Sequence, residues 1–172
     1  EHKTRLGDET LFVLPLKSDD SHVFDDVSHG LQRLGATTLL FLRQIDEVRC
    51  SIEGGASGAY LRDSRDIAAG VRRVTVIGQQ HDAGEVDDEW LVFSRAVASK
   101  DGRPIGYVEI AFSLSSEPPG GEGVRRVERS PLVAFFPTVV ETHLGFLLQG
   151  PYRTTPSRDN VPRSDPWNQY LV

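Results

Sequence analysis

Apolar side chains recur at every second residue through much of the chain, which is the pattern of β-strands with one buried face. Short apolar runs bounded by turn-forming residues extend the same prediction. The segments that predict strands are 9–17, 37–42, 48–52, 59–63, 72–78, 89–97, 106–114, 132–136 and 144–149. Pro15 places the first of them at a sheet edge, because proline cannot donate a ladder hydrogen bond.

The clearest alternation lies in 106–114. Its apolar residues are Val108, Ile110, Phe112 and Leu114. They alternate with Glu109 and Ser113, so we expect the apolar set to face the core and the polar set to face solvent.

Two helices are predicted from spacing and end signals. Apolar residues recur at helical spacing from Phe24 to Leu34, with Ser21 as N-cap and Gly35 as the stop. Asp165 followed by Pro166 predicts the N-cap and first residue of a second helix, cut short after Val172. Many strands and few helices predict an α+β fold with a largely antiparallel sheet.

The chain has no methionine and begins at Glu1, so we expect a piece of a longer protein, truncated at both ends. The Gly- and Pro-rich run 117–122 suggests a break between subdomains. We therefore expect a first segment at 1–17, a strand-rich α+β subdomain at 18–116, a linker at 117–130, and a strand pair with an Arg-rich loop and a helix start at 131–172.

Composition excludes some functions. With 38% hydrophobic and 26% charged residues the chain is typical of a soluble globular protein. A net charge of −6 disfavours general nucleic-acid binding, which needs a concentrated positive surface. No apolar run approaches the roughly 20 residues of a membrane span. A single cysteine, Cys50, fits a reducing compartment, so we expect a cytoplasmic protein with no membrane partner.

Catalytic and metal patterns are weak. Ser57 lies in a glycine-rich run similar to a nucleophile elbow, but a strand follows it, which favours a hairpin. His22, Asp26 and His29 share one helical face and could ligate a metal. Neighbouring acidic residues at the same helix start favour a solvated face instead, and we expect no metal site.

Arginines give the last third of the chain a basic character. Arg153, Arg158 and Arg163 follow the last predicted strand, and forked arginine bonds suit phosphate. The alternative, equally favoured by this chemistry, is a loop whose arginines pair with Asp159 and Asp165. The chain itself contains no phosphate-binding loop.

Several segments together resemble bacterial proteins with a histidine-kinase-like (GHKL) ATPase domain of the sacsin type, distant relatives of the ninety-kilodalton heat-shock chaperones. These segments read ETLFVLPLK, LLFLRQIDEVRCSIEGGASGAYLRDSR, DEWLVFSRAV, VEIAFSL and LVAFFPTVVETHLGFLLQGPYRTTPSRDNVPRSDPWNQYLV. The first resembles the strand that ends such an ATPase domain, with Glu9 in place of a glycine. The family's nucleotide-holding motifs are not found in the sequence, where 82–86 only half matches one of them.

The resemblance implies a middle or transducer region, a layer similar to a ribosomal protein's second domain with a βαβ unit. It implies that this chain relays the ATP state of an upstream domain to a bound client protein. ATP and magnesium would then be bound by that upstream domain, and the whole protein would form a homodimer. It also implies an arginine that reaches the terminal phosphate. Arg158 in TPSRDN is the nearest match and Arg153 the substitute, since Pro156 and Pro162 distinguish this loop from the family's. The alternative function is a non-catalytic protein-interaction module.

Overall fold

The computed structural model describes residues 12–13, 15, 21–32, 36–52, 57–80, 84–99, 101–117 and 121–171. The chain divides into two compact units, Glu1–Arg33 and Leu34–Val172. In the first unit, α1 spans Ser21–Gln32, so Ser21, predicted to be the N-cap, is the first residue of the helix. Of the predicted strand 9–17, only 12, 13 and 15 are described, and these are not in a strand. The rest of that prediction lies outside the described residues, as does Gly35.

The second unit is built on one sheet, and the described chain is mostly β. The strands are β1 (Glu47–Ser51), β2 (Ser57–Ala68), β3 (Val71–Gln80), β4 (Gly84–Ala98), β5 (Pro104–Glu117), β6 (Gly121–Arg125), β7 (Pro131–Ala134), β8 (Phe136–Glu141) and β9 (Leu147–Gln149). They form a nine-stranded, mixed and largely antiparallel open sheet in the order β1-β2-β3-β4-β5-β9-β7-β8, with β6 also paired to β5. The described residues contain two short α-helices, α1 in the first unit and α2 (Pro166–Tyr170) in the second.

Sequential hairpins build β1 to β5. The pairing of Ser51 with Ser57 confirms the hairpin predicted around the glycine-rich run. Between β2 and β3 the turn is very tight, and Gly70 adopts φ +72° with its backbone against that of β4. A Cβ at this position would lie 2.8 Å from the Ser94 carbonyl oxygen, so only glycine fits this turn.

A hydrophobic core lies on one face of the sheet, which we call the inner face. Tyr60, Val74, Val76, Trp90 and Val92 are buried there. The segment 36–42 covers them, with Leu39, Leu40 and Phe41 buried in the same cluster. That segment was predicted to be a strand and instead forms a 3₁₀ helix, Ala36–Leu39, followed by a turn. The prediction of burial was right and that of conformation was wrong, because periodicity alone does not distinguish short buried helices from strands.

The orientation of β5 is also opposite to the prediction. Glu109 and Ser113 are each 1% exposed and face the core, together with Ala111. The apolar set from Val108 to Leu114 is only half-buried, on what we call the outer face. The alternation was predicted correctly but the buried face was not.

The region predicted as a linker contributes a strand. β6 lies inside 117–130 and pairs with β5, with Glu117 opposite Gly121. The glycines and prolines there fit a turn between two strands as well as a linker. Farther along, β9 pairs antiparallel with β5 and parallel with β7, so strands from 18–116 and 131–172 share one sheet. Neither described helix is long and apolar enough to cross a membrane.

Candidate functional site

The loop after β9 carries both arginines predicted to contact phosphate, and a buried asparagine organises it. Asn168 of α2 is 4% exposed. Its Oδ1 accepts from the Arg153 backbone N–H at 2.8 Å, and its Nδ2 donates to the Arg153 carbonyl at 2.9 Å. The same Nδ2 donates to the Pro162 carbonyl at 3.0 Å. The Arg153 backbone is therefore held on both sides.

Arg153 projects its guanidinium from this fixed point. The side chain is 68% exposed, and its Nη1 lies 3.5 Å from Asp165 Oδ2. Asp165 caps α2, as predicted, by accepting from the backbone N–H groups of Trp167 at 2.8 Å and Asn168 at 3.2 Å. Partial desolvation raises the pKa of Asp165, but these two bonds and the charge of Arg153 outweigh it and hold that pKa below its usual value. The Arg153 ion pair is long and exposed, so another anion can replace it at little cost.

Arg158 is engaged within the chain. Its Nη2 donates to the carbonyls of Ala134 and Phe136, the second at 3.0 Å. The guanidinium carbon lies 5.7 Å from the centre of the Phe136 ring. Arg158 also has φ +58°, an uncommon conformation for a residue with a side chain. Through these contacts the Arg158 side chain connects the loop after β9 to the β7–β8 hairpin.

Asp159 and Asp165 were the two acidic partners expected for the arginines of this loop, and Asp165 does pair with Arg153. Asp159 instead accepts from the Thr155 hydroxyl at 2.5 Å. Hydrogen bonds from Thr155 and then Ser157 hold the pKa of Asp159 below its usual value. Arg163 is exposed.

The other sequence candidates do not form sites in the described part of the chain. His22, Asp26 and His29 are all exposed on α1. Among the described residues no group of three or more potential ligands could hold a metal ion. Ser57 is an exposed strand residue paired with Ser51, which agrees with the hairpin interpretation.

The structure reveals a cluster of charges on the inner face that was not predicted. A single oxygen of Glu109, Oε1, accepts four hydrogen bonds. Its donors are Arg43 Nη2 at 2.6 Å, Arg72 Nη2 at 2.7 Å, Ser94 Oγ at 2.7 Å and Arg43 Nε at 3.2 Å. Arg43 also stacks on Tyr107, with its guanidinium carbon 3.7 Å from the ring centre.

Burial shapes the electrostatics of this cluster. Desolvation lowers the pKa of Arg72, and the neighbouring Arg43 and Arg62 lower it further, while Glu109 opposes them. Arg62 is itself buried and bonds Asp46 at 2.5 Å. The sequence contained one signal for the cluster, namely the polar positions of 106–114, but no sign that these positions face inward.

Two hollows lie on opposite faces of the sheet. One of about 550 Å³ lies beside the Glu109 cluster, at the β2–β3 turn. The other, of about 670 Å³, lies on the outer face, between β4, β5 and the end of α2. Phe93, Val97 and Ile110 line this outer hollow, with Tyr170 at its rim.

No family model matches the chain, and no curated protein or solved structure matches it either.

Proposed function

We propose that this chain is the middle module of a chaperone-like ATPase and presents Arg153 to the terminal phosphate of ATP held by a neighbouring domain. The proposal rests on the resemblance of residues 132–172 to sacsin-type and heat-shock-chaperone proteins. One observation carries it: Arg153 combines a backbone fixed by Asn168 with a guanidinium that is 68% exposed.

The physical requirements of such an arginine are positional. It must be held rigidly enough to meet the phosphate when two domains close, yet keep free donors until then. Arg153 meets both requirements, because its only ion pair in the described residues is the 3.5 Å contact with Asp165. Arg158, the nearer sequence match, has its guanidinium bonded to two backbone carbonyls and would have to break them.

ATP and magnesium would be held by the neighbouring domain, and closure would exchange the Asp165 carboxylate for phosphate oxygens. Nucleotide state would thereby be coupled to the conformation of the loop and of α2. The likeness to a transducer layer is part of the proposal. Its βαβ unit is not among the described residues of the second unit, where β8 and no helix connects the parallel strands β7 and β9.

Substitution of Arg153 by glutamine in a protein that joins this chain to its ATPase domain tests the proposal. We expect ATP turnover to fall about 100-fold, the typical effect of removing one group that stabilises developing charge. ATP binding should change little. Arg163→Gln is the matched control, since it removes the same charge from an exposed position nearby, and it should keep full turnover. Full turnover in both Arg153→Gln and Arg158→Gln would refute the phosphate contact.

A second candidate function, a protein-interaction module without catalytic coupling, is favoured by the outer face. Three half-exposed rings form a row across it: Phe93 and Phe112 meet edge-on with centroids 6.0 Å apart, and Phe112 and Phe146 lie 5.1 Å apart. Clustered aromatic side chains of this kind are typical anchors for protein partners. The partner chemistry that suits the row is an extended, unfolded chain with apolar side chains.

Binding of a chemically unfolded, carboxymethylated model protein tests this second function. Phe93→Ser should weaken binding at least tenfold, while Val139→Ser, which removes a 71% exposed apolar side chain from β8, should not. Binding that is unaffected by ATP in the joined protein favours the interaction module over the relay. Equal binding by both variants would eliminate the aromatic row as the docking surface.

A further inference from the structure

The inner hollow beside Glu109 has the size and the lining of a ligand site. Its volume of about 550 Å³ lies within the range of small-molecule pockets, roughly 300–1,000 Å³. Arg43, Arg72 and Ser94 supply polar groups, while Ile67, Val71 and Tyr107 supply apolar walls. Such a mixture, a few polar groups within apolar walls, is typical of sites for small organic molecules.

Charge in the cluster is unbalanced. Arg43 and Arg72 both bond the same carboxylate oxygen of Glu109, so two positive groups share one negative group. Glu109 and Arg72 are almost completely buried, at 1% and 8% side-chain exposure, whereas Arg43 is 31% exposed. Within this inner group the positive charges outnumber the negative one, which favours an anion. Asp66, an exposed carboxylate in the same lining, offsets that excess.

Hydrogen-bond donors are also left over. Arg72 Nε is buried and has no hydrogen-bond partner among the described residues. A guanidinium has five N–H donors, and Glu109 uses only part of this capacity. Because Arg72 Nε is itself inaccessible to solvent, the donors that a ligand in the hollow can reach are the remaining N–H groups of Arg43, whose side chain is 31% exposed.

The lining of the hollow also contains an acidic residue. Asp66 lines it, is exposed, and pairs in register with Arg72 across β2 and β3. Its negative charge opposes an incoming anion. Removing the charge of Asp66 should therefore strengthen anion binding, whereas removing the charge of Arg43 should weaken it.

We propose that the inner hollow binds a small organic anion, with a carboxylate or phosphate group held by Arg43, beside Arg72, and an apolar body against Ile67 and Tyr107. The site is independent of the relay and docking functions proposed above. Arg65 of β2 provides a matched control, since it is exposed and its position in the strand alternation directs it to the outer face.

Titration of the chain with sodium butyrate and, separately, with inorganic phosphate tests the proposal, with sodium chloride at matched ionic strength as reference. Amide NMR signals of 68–70 and Ser94 should shift saturably with at least one probe. A response to butyrate alone identifies a carboxylate ligand, and a response to phosphate alone a phosphate ligand. No saturable shift with either probe beyond chloride would overturn the proposal.

Variants give the second part of the test. Arg43→Gln should weaken binding at least tenfold, while Arg65→Gln should stay within about twofold of the unmodified chain, because Arg43 lines the hollow and Arg65 does not. Asp66→Asn should strengthen binding about threefold by removing a like charge, and this exposed substitution is readily tolerated by the fold. Equal weakening in Arg43→Gln and Arg65→Gln, or unchanged affinity in Asp66→Asn, would contradict the site.

Discussion

β5 has two faces of opposite character. Its inner face presents Glu109, Ala111 and Ser113, all nearly inaccessible to solvent. Its outer face presents an apolar row that includes Ile110 and Phe112 and is only half-buried. On the inner face a carboxylate is completely enclosed, while on the outer face aromatic rings remain in contact with water.

In this sheet, the segments that cover each face determine which side chains are buried more than side-chain polarity does. The segment after α1 covers the inner face and brings Arg43 to Glu109, 66 residues apart in the chain. On the outer face, α2 lies only at the rim of the hollow, where the Tyr170 hydroxyl donates to the Ala98 carbonyl. The Glu109 carboxylate is tolerated in a buried position because Arg43, Arg72 and Ser94 donate to it, and the apolar outer face stays exposed where nothing in the described chain covers it.

Among the changes that compare the two faces, removal of the buried Glu109 carboxylate should lower the unfolding free energy most. Glu109→Gln leaves Arg43 and Arg72 without their counter-charge, and breaking one side of a buried ion pair costs about 3–5 kcal/mol of unfolding free energy. Glu89→Gln is the matched control, because Glu89 pairs with Arg73 nearer the surface, where both side chains are about a third exposed and the loss of an ion pair should cost less. Urea unfolding of both variants measures the difference. Equal losses would mean that the inner cluster is no better isolated from water than the surface pair.

Truncation of two neighbouring residues on β4 should have an intermediate effect. Val92 is fully buried on the inner face, and Phe93 is 41% exposed on the outer face. We expect Val92→Ala to cost about 2 kcal/mol, from lost transfer energy and a residual cavity. Phe93→Ala should cost about 1 kcal/mol although it removes more atoms, since much of the ring already contacts water. Thermal or urea unfolding provides the measurement, and a larger loss for Phe93→Ala would show that the outer face is the better packed one.

Sequence patterns predicted where the strands and helices lie better than they predicted which face of each strand is buried. Alternation and turn residues identified β2 to β5, and helical spacing and caps identified α1 and the start of α2. Alternation defines two faces but not which one is covered, because the covering side chains come from distant positions such as Arg43. The inward direction of Glu109 was therefore inaccessible from its own strand.

The candidate arginines illustrate the same limit. Sequence reasoning selected both Arg153 and Arg158 but ranked them by motif similarity. Their different availability depends on Asn168 and on the β7–β8 hairpin, whose carbonyls hold Arg158. Such contacts follow from tertiary structure and are not encoded in local spacing.

The smallest expected effect concerns Asp165, which caps the helix at the rim of the outer hollow. Its folded-state pKa lies below the ordinary value of about 3.9, because the Asn168 and Trp167 N–H groups and Arg153 outweigh desolvation. A depressed folded-state pKa means that its contribution to stability is complete above about pH 4 and is lost as the pH falls through the folded value. Asp165→Asn keeps a good N-cap but removes the charge, so stability should depend less on pH below about pH 4. Unfolding at a series of acidic pH values measures this, and identical pH profiles for the two proteins would show that the Asp165 charge does not contribute to the stability of the fold.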